Sequence, residues 1–203
     1  MKSLSEIETT VKRASKVAGY SWGISEEIGK SVRLLELFSL PGIKHLNEYF
    51  NEKNKSKFEN LNLINKNNSS SNNPYCPIIL GVSFLDQINV LENLNKIEFK
   101  NVAYPVIFIS FISRSSEIIG KKIYVKIDEN QILLNLNVNI LSNFIEKEFP
   151  KIANTIEVNL LENDDNFTEQ EWNNLYKLSE DTFVEESDSL KEGAAGAGLT
   201  DND

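Results

Sequence analysis

The chain has 203 residues, 40% of them hydrophobic and 25% charged, which predicts one globular domain over residues 1–203 with a sizeable core. Its formal net charge of −9 at pH 7 repels phosphate backbones and anionic lipid heads, so nucleic acid and membrane surfaces are not expected partners. One cysteine (Cys76), no apolar stretch in MKSLSEIETT, and a longest apolar run (VAYPVIFISFI, 102–112) below the ~20 residues that span a bilayer together predict a soluble, cytoplasmic protein with no internal disulfide.

In chain order, Ser3 with Glu6 fits a capping box, Leu4, Ile7, Val11, Ala14 and Val17 follow at helical spacing, and Gly19 is the stop. A second helix begins near Ser21 or Ser25 and buries Ile24, Ile28, Val32, Leu35 and Phe38. It ends at LPGI, where Pro41 cannot continue the helix and Gly42 allows the turn. A third helical piece covers about 45–58. NKNNSSSNNP (65–74) is polar and aperiodic and reads as a loop or linker.

CPIILGVSFL and PVIFISFI are short apolar runs rich in β-branched and aromatic residues, the pattern of buried strands. KKIYVKI alternates Ile123, Val125 and Ile127 with polar residues, QILLNLNVNI alternates Ile132, Leu134, Leu136 and Val138, and DEN (128–130) joins them as a hairpin turn. A short helix over 142–149 is expected before Pro150, then a strand at TIEVNLL. TEQEWNNLYKLSED opens with a second capping box, Thr168 with Glu171, and carries Trp172, Leu175 and Leu178 on one face. Helices, then mostly strands, then a helix predict an α+β fold, with N-terminal helices packed on a mainly antiparallel sheet, a C-terminal helix and a Gly-rich acidic tail. Within the single domain the helical part is about 1–64, the polar loop 65–74, the sheet-rich part 75–190 and the tail 191–203.

The second helix carries the most chemistry. Trp22, Glu26, Lys30 and Arg33 fall on one stripe at 3.6 residues per turn. One reading is a solvated face, in which Glu26 four residues before Lys30 makes a surface ion pair. The other is a ligand-facing stripe with an aromatic floor, an acid and two cations. Gly29 in mid-helix and Gly23 beside Trp22 fit the second reading, because glycine there lets something approach the backbone at a cost of ~1 kcal/mol in helix propensity. The sole histidine, His45, reads as a surface or cap residue, and Cys76 in YCPI as a buried structural thiol at the mouth of a strand. No His pair or Cys-x-x-Cys is present to hold zinc, and GAAGAG lacks the lysine and helix that a phosphate loop needs.

The stretch KRASKVAGYSWGISEEIGKSVRLLELFSLPG (12–42) resembles the N-terminal signature of a family of bacterial proteins of unknown function, approximately R-A-A-x-G-x-G-x-x-W-G-x-A-E-E-x-G-K with a leucine-rich helix and a G-L-P-G turn. The ending GAAGAGLTDND is similar to that family's G-A-G-A-G-L-[ST]-D-N-D, while the middle of the chain matches only loosely. The resemblance marks Arg13, Trp22, Gly23, Glu26, Glu27, Gly29 and Lys30, and then Gly196, Gly198, Asp201, Asn202 and Asp203. Ser25 stands where the family has alanine, and TFVEESDSLKEG lacks the proline and arginine associated with the segment before the tail. The family supplies no activity and no cofactor.

Two polar motifs at opposite ends of one chain predict a joint site. Glu26 and Glu27 would serve as acid or base, and Lys30 and Arg33 would hold a small anionic substrate. The glycines would let the tail close over it. Glu26, Glu27, Asp201, Asp203 and the terminal carboxylate can instead hold a hard cation, or the tail can simply pair with Lys30, Arg33 or Arg13, which is the preferred expectation and requires no metal. The alternative function is a non-catalytic accessory protein whose tail is a recognition segment for a protein partner.

Overall fold

The computed structural model describes residues 2–134, 139–143 and 149–182. The chain divides into two units, residues 1–163 and residues 164–203.

The first unit opens with three helices, α1 (Leu4–Val17), α2 (Trp22–Leu37) and α3 (Gly42–Lys53). Ser3 caps α1 by accepting from Glu6 N at 3.1 Å, but the Glu6 carboxylate pairs with Lys2 at 2.7 Å, so the expected box is made from one side. Ser21 caps α2 through Ile24 N at 3.3 Å. α3 starts at Gly42, three residues before the expected His45, because Pro41 serves as its N-cap. It ends at Lys53, five residues short of Phe58.

The two apolar runs expected as strands are helices, α4 (Pro77–Leu91) and α5 (Pro105–Ile119). A run that is apolar on every side carries no period, so strand and fully buried helix look alike in sequence. Two features decide it. Each run starts on a proline, which is pre-set for the first turn of a helix. Two serines of α5 then hide their hydroxyls against its own backbone: Ser110 Oγ donates to Ile107 O at 2.7 Å and Ser115 Oγ to Phe111 O at 3.0 Å. Gly81 of α4 lies directly against the Phe111 ring, where a Cβ would overlap it, and this brings the two helices together.

The sheet follows the order β1-β2-β6-β3-β4-β5, from β1 (Asn67–Ser69), β2 (Lys96–Ala103), β3 (Ile123–Ile127), β4 (Asn130–Leu134), β5 (Ile140–Ser142) and β6 (Ile152–Leu160). β1 runs parallel to β2, and the other pairs are antiparallel. The fold is therefore α+β with a mainly antiparallel sheet, as its element order implied. The hairpin at 128–130 is present. The Asp128 carboxylate accepts from Thr155 N at 3.0 Å, tying the turn to β6.

Alternation puts Ile97, Phe99, Ile123, Val125, Ile127, Ile132, Leu134, Ile156 and Val158 on the buried face, against which α5 packs. Phe84, Phe99 and Phe108 meet edge to face with centroids 5.3–6.3 Å apart, joining α4, β2 and α5.

The polar stretch 65–74 is built into the sheet rather than left as a linker. Asn68 Nδ2 donates to Asn65 O at 2.7 Å and to Glu98 O at 3.0 Å, and the Glu59 carboxylate accepts from the backbone of Ser71, Asn72 and Asn73. Side chains that satisfy backbone locally replace the missing hydrophobic signal.

In the expected 142–149 helix, Ser142 belongs to β5 and residues 144–148 lie outside the described residues, as do Leu136 and Val138 of the expected QILLNLNVNI strand. The second unit holds α6 (Glu169–Glu180), whose Thr168–Glu171 capping box is complete on both sides and whose Phe167 and Trp172 rings stack at 5.7 Å. No helix among the described residues is long and apolar enough to cross a membrane.

Candidate functional site

The α2 stripe is an ion-pair lattice that ties three helices together. Glu26 binds Lys12 of α1 at 3.0 Å and Lys30 at 3.1 Å. These lysines, Lys12 first, hold the Glu26 carboxyl below the usual carboxylate range. Glu27 pairs with Lys30 at 3.2 Å and with Arg114 of α5, and Arg33 reaches Glu8 of α1 at 3.0 Å. Lys30 is pushed up by its two glutamates, Glu26 first.

Trp22 is exposed at the start of α2, with Lys16 Nζ 5.6 Å above its ring. Arg13 is exposed on α1. Gly196, Gly198, Asp201, Asn202 and Asp203 lie outside the described residues.

The two glycines part company. A Cβ on Gly29 would come within 2.9 Å of Glu8 O and 3.4 Å of Lys12 Cβ, so the body approaching that backbone is α1. A Cβ on Gly23 would meet nothing within 4 Å, so close approach is not its reason there. Lys30 and Arg33 still face a cleft of about 430 Å³, shared with Arg114, Glu117, Leu34 and Leu37.

A second cleft, of about 450 Å³, brings Tyr20, Tyr49 and Lys53, none of them expected at a site, together with Cys76. Its inner wall carries a chain of hydroxyls and a thiol. Tyr20 Oη is 2.9 Å from Tyr49 Oη, which is 2.9 Å from Cys76 Sγ. All three residues are buried, at 7%, 1% and 3% exposure. Burial, above all, and then the neighbouring Cys76 push both phenols well above their usual range, so they stay protonated donors.

Cys76 does not open a strand; it is the N-cap of α4, and its sulfur accepts from Ile79 N at 3.5 Å. Ser21, the N-cap of α2, lines the same cleft. Lys53, the last residue of α3, holds its ammonium 3.9 Å over the Tyr20 ring and donates to Ala18 O at 3.0 Å. Two helix N-termini and one ammonium thus turn positive charge toward one cleft in a chain of net charge −9.

The sequence signals for this site are the helix start at Ser21, the buried thiol at Cys76 and the tyrosine inside AGYSWG. Nothing in the spacing links that tyrosine to Tyr49 or Cys76.

His45 is neither a surface nor a cap residue. It is 3% exposed, its ring meets Tyr104 edge-on at 5.8 Å, and Nδ1 makes no hydrogen bond. Burial pushes its pKa down. Among the described residues, no three His, Cys, Asp or Glu side chains are grouped to hold a metal ion.

Residues 2–75 match the family model described as "Protein of unknown function (DUF3726)". The match covers α1, α2, α3 and β1, and with them the W-G-x-x-E-E-x-G-K motif and every residue of the tyrosine cleft before Cys76. No curated protein and no solved structure matches the chain.

Proposed function

We propose that this protein binds a small anion in the cleft between the N-termini of α2 and α4, as a small metabolic enzyme or a subunit of one. The observation that supports this most is the meeting of both N-termini with the Lys53 ammonium beside the Tyr20–Tyr49–Cys76 chain. Helix N-termini offer backbone N–H groups and partial positive charge, and a lysine adds a full one. The phenols supply neutral donors that can orient a carboxylate or phosphate oxygen.

The test is a calorimetric titration of the full chain with inorganic phosphate and with acetate, run beside iodoacetamide labelling of Cys76, the sole cysteine. Binding should slow the labelling, and Lys53→Ala should weaken binding about tenfold or more, as expected for a lost charge-assisted hydrogen bond. If neither anion binds the wild-type protein, the reading is wrong.

A second reading rests on the other cleft, where Lys30 and Arg33 stand with Arg114. There the acidic tail, or a small anionic substrate, would lie against α2, with Glu26 and Glu27 as the acid–base pair. Deleting the last five residues should lower the melting temperature of the isolated protein, and Lys30→Ala should reproduce the change. An unchanged melting temperature in both would count against it. The accessory-protein alternative predicts instead that the deletion removes only a bound partner.

A further inference from the structure

Beside the anion cleft lies a third one, of about 360 Å³, between the end of α3, the β2–α5 junction and the start of β6. Ser56 and Phe58 line both clefts, so this short segment is the saddle between them. Behind it, the Tyr49 ring of the anion cleft touches the Tyr104 ring of the other, edge to face at 5.8 Å.

Tyr104 is the unusual residue. It is 1% exposed, yet its hydroxyl makes no hydrogen bond of standard geometry. The Glu52 carboxylate stands near it, and together with burial, the larger cause, keeps the phenol protonated. Its backbone sits in the left-handed region, at φ 44 and ψ 59, held there by Tyr104 N donating to Lys151 O and by its own carbonyl accepting from Ile107 N. A left-handed conformation is rare for a bulky residue, and strain of this kind concentrates at functional sites.

The donors around it suit an acceptor. Lys151 is shared between the Glu48 and Glu52 carboxylates, at 3.2 Å and 3.5 Å. Lys57 lines the cleft, is exposed, and has no ion pair with a described residue. Asn73 adds an amide. A buried O–H with no well-aligned bond to the nearby Glu52 carboxylate, and an ammonium with no ion pair among the described residues, can both donate to an anionic oxygen.

We propose that the two clefts are the lobes of one bipartite site, and that its ligand is a small molecule with an acidic group at each end, in its simplest form a short dicarboxylic acid. One end would lie by Lys53 and the N-termini of α2 and α4, the other by Tyr104 and Lys57, with the linking carbons over Phe58. This rests on the anion reading of the tyrosine cleft and adds the second acidic group.

The experiment titrates the full chain with acetate, and with malonate, succinate, glutarate and adipate, by calorimetry. At least one diacid should bind about tenfold tighter than acetate, the gain expected of one further hydrogen bond to a charged group. Tyr104→Phe and Lys57→Ala should each remove that gain and leave acetate unchanged, whereas Lys53→Ala should weaken every probe. Lys57 is exposed, so its variant tests the lobe even if the buried Tyr104 variant unfolds.

If no diacid exceeds acetate, or the gain survives both far-lobe variants, the bipartite site is refuted while the anion cleft stands. If the diacids bind and Lys53→Ala leaves them untouched, the anion reading of the tyrosine cleft fails and the two-lobed ligand with it. If no probe binds at all, both are wrong.

Discussion

Replacing Tyr49 with phenylalanine removes one oxygen from the middle of the Tyr20–Tyr49–Cys76 chain and leaves both neighbours in place. Tyr20 Oη then loses the partner 2.9 Å away and Cys76 Sγ loses its O–H contact at 2.9 Å, keeping the backbone N–H of Ile79 at 3.5 Å. A buried polar group left unsatisfied costs about 1–3 kcal/mol. The main cost falls on Tyr20, since the thiol is a weak hydrogen-bonding group with a second partner. The expected loss is therefore about 1–3 kcal/mol, or roughly 2–9 °C in melting temperature for a domain of this length.

Tyr20→Phe strips only the end of the chain and leaves Tyr49 with Cys76, so it should cost less, about 0.5–1.5 kcal/mol. The double variant removes both hydroxyls at once and should lose less than the sum of the two single losses. Urea unfolding of the four proteins measures all three quantities. A Tyr49→Phe loss below about 0.5 kcal/mol, or strictly additive losses, would refute the account of a coupled buried chain.

Gly29→Ala should destabilise by about 1–3 kcal/mol despite better helix propensity, because Glu8 O is backbone and α1 must move as a whole. Gly23→Ala, with open space around it, should be neutral or stabilising by up to ~1 kcal/mol, and the same urea assay reads both. Gly81→Ala should cost more than Gly29→Ala, since its Cβ would overlap a buried aromatic ring on a packed helix.

His45 has a depressed pKa in the folded state, so the unfolded chain binds more protons and stability falls as pH drops below about 6.5. This contribution is full above the unfolded pKa and is lost on the way down toward the folded one. Glu26 has the same sign but acts in the carboxylate range, well below. Stability measured from pH 8 to 5 should slope in the wild type and flatten in His45→Leu. An unchanged slope means another group carries it, because the chain has a single histidine.

The helix caps, the breaker at Pro41 and Gly42, the β3–β4 hairpin and the alternating strand β6 were legible in sequence because each is a local signal. α4 and α5 were not, because the runs that open them are apolar on every side and so carry no period, and a reader of short windows sees only apolar residues. β2 shows alternation at Ile97 and Phe99, but the sequence reading placed no strand there. The apolar run from 102 to 112 drew attention instead, although it crosses the β2–α5 boundary.

The site divides in the same way. Glu26, Lys30 and Arg33 do share one face, as helical spacing requires, but Lys12, the partner of Glu26, and Glu8, the partner of Arg33, come from α1, and Arg114, the partner of Glu27, comes from α5. Tyr20, Tyr49, Cys76 and Tyr104 are spread over more than eighty positions. They come together because α3 packs beside the α1–α2 turn, which carries Tyr20, and beside the starts of α4 and α5.

The sheet has a further consequence for how copies of this chain treat one another. An exposed strand edge is a template for pairing with a neighbour, and long flat hydrophobic edges lead to aggregation. Here the terminal strands of the order, β1 and β5, are each three residues long, and β1 reads NNS. β1 lies along the middle of the much longer β2, from Glu98 to Lys100, and occupies that stretch of hydrogen-bonding groups with a polar stub. The asparagine-rich stretch thus acts as a guard: a segment of little hydrophobic value shields the middle of the β2 edge from a second molecule. Shortening it would be expected to harm solubility before it harmed the fold.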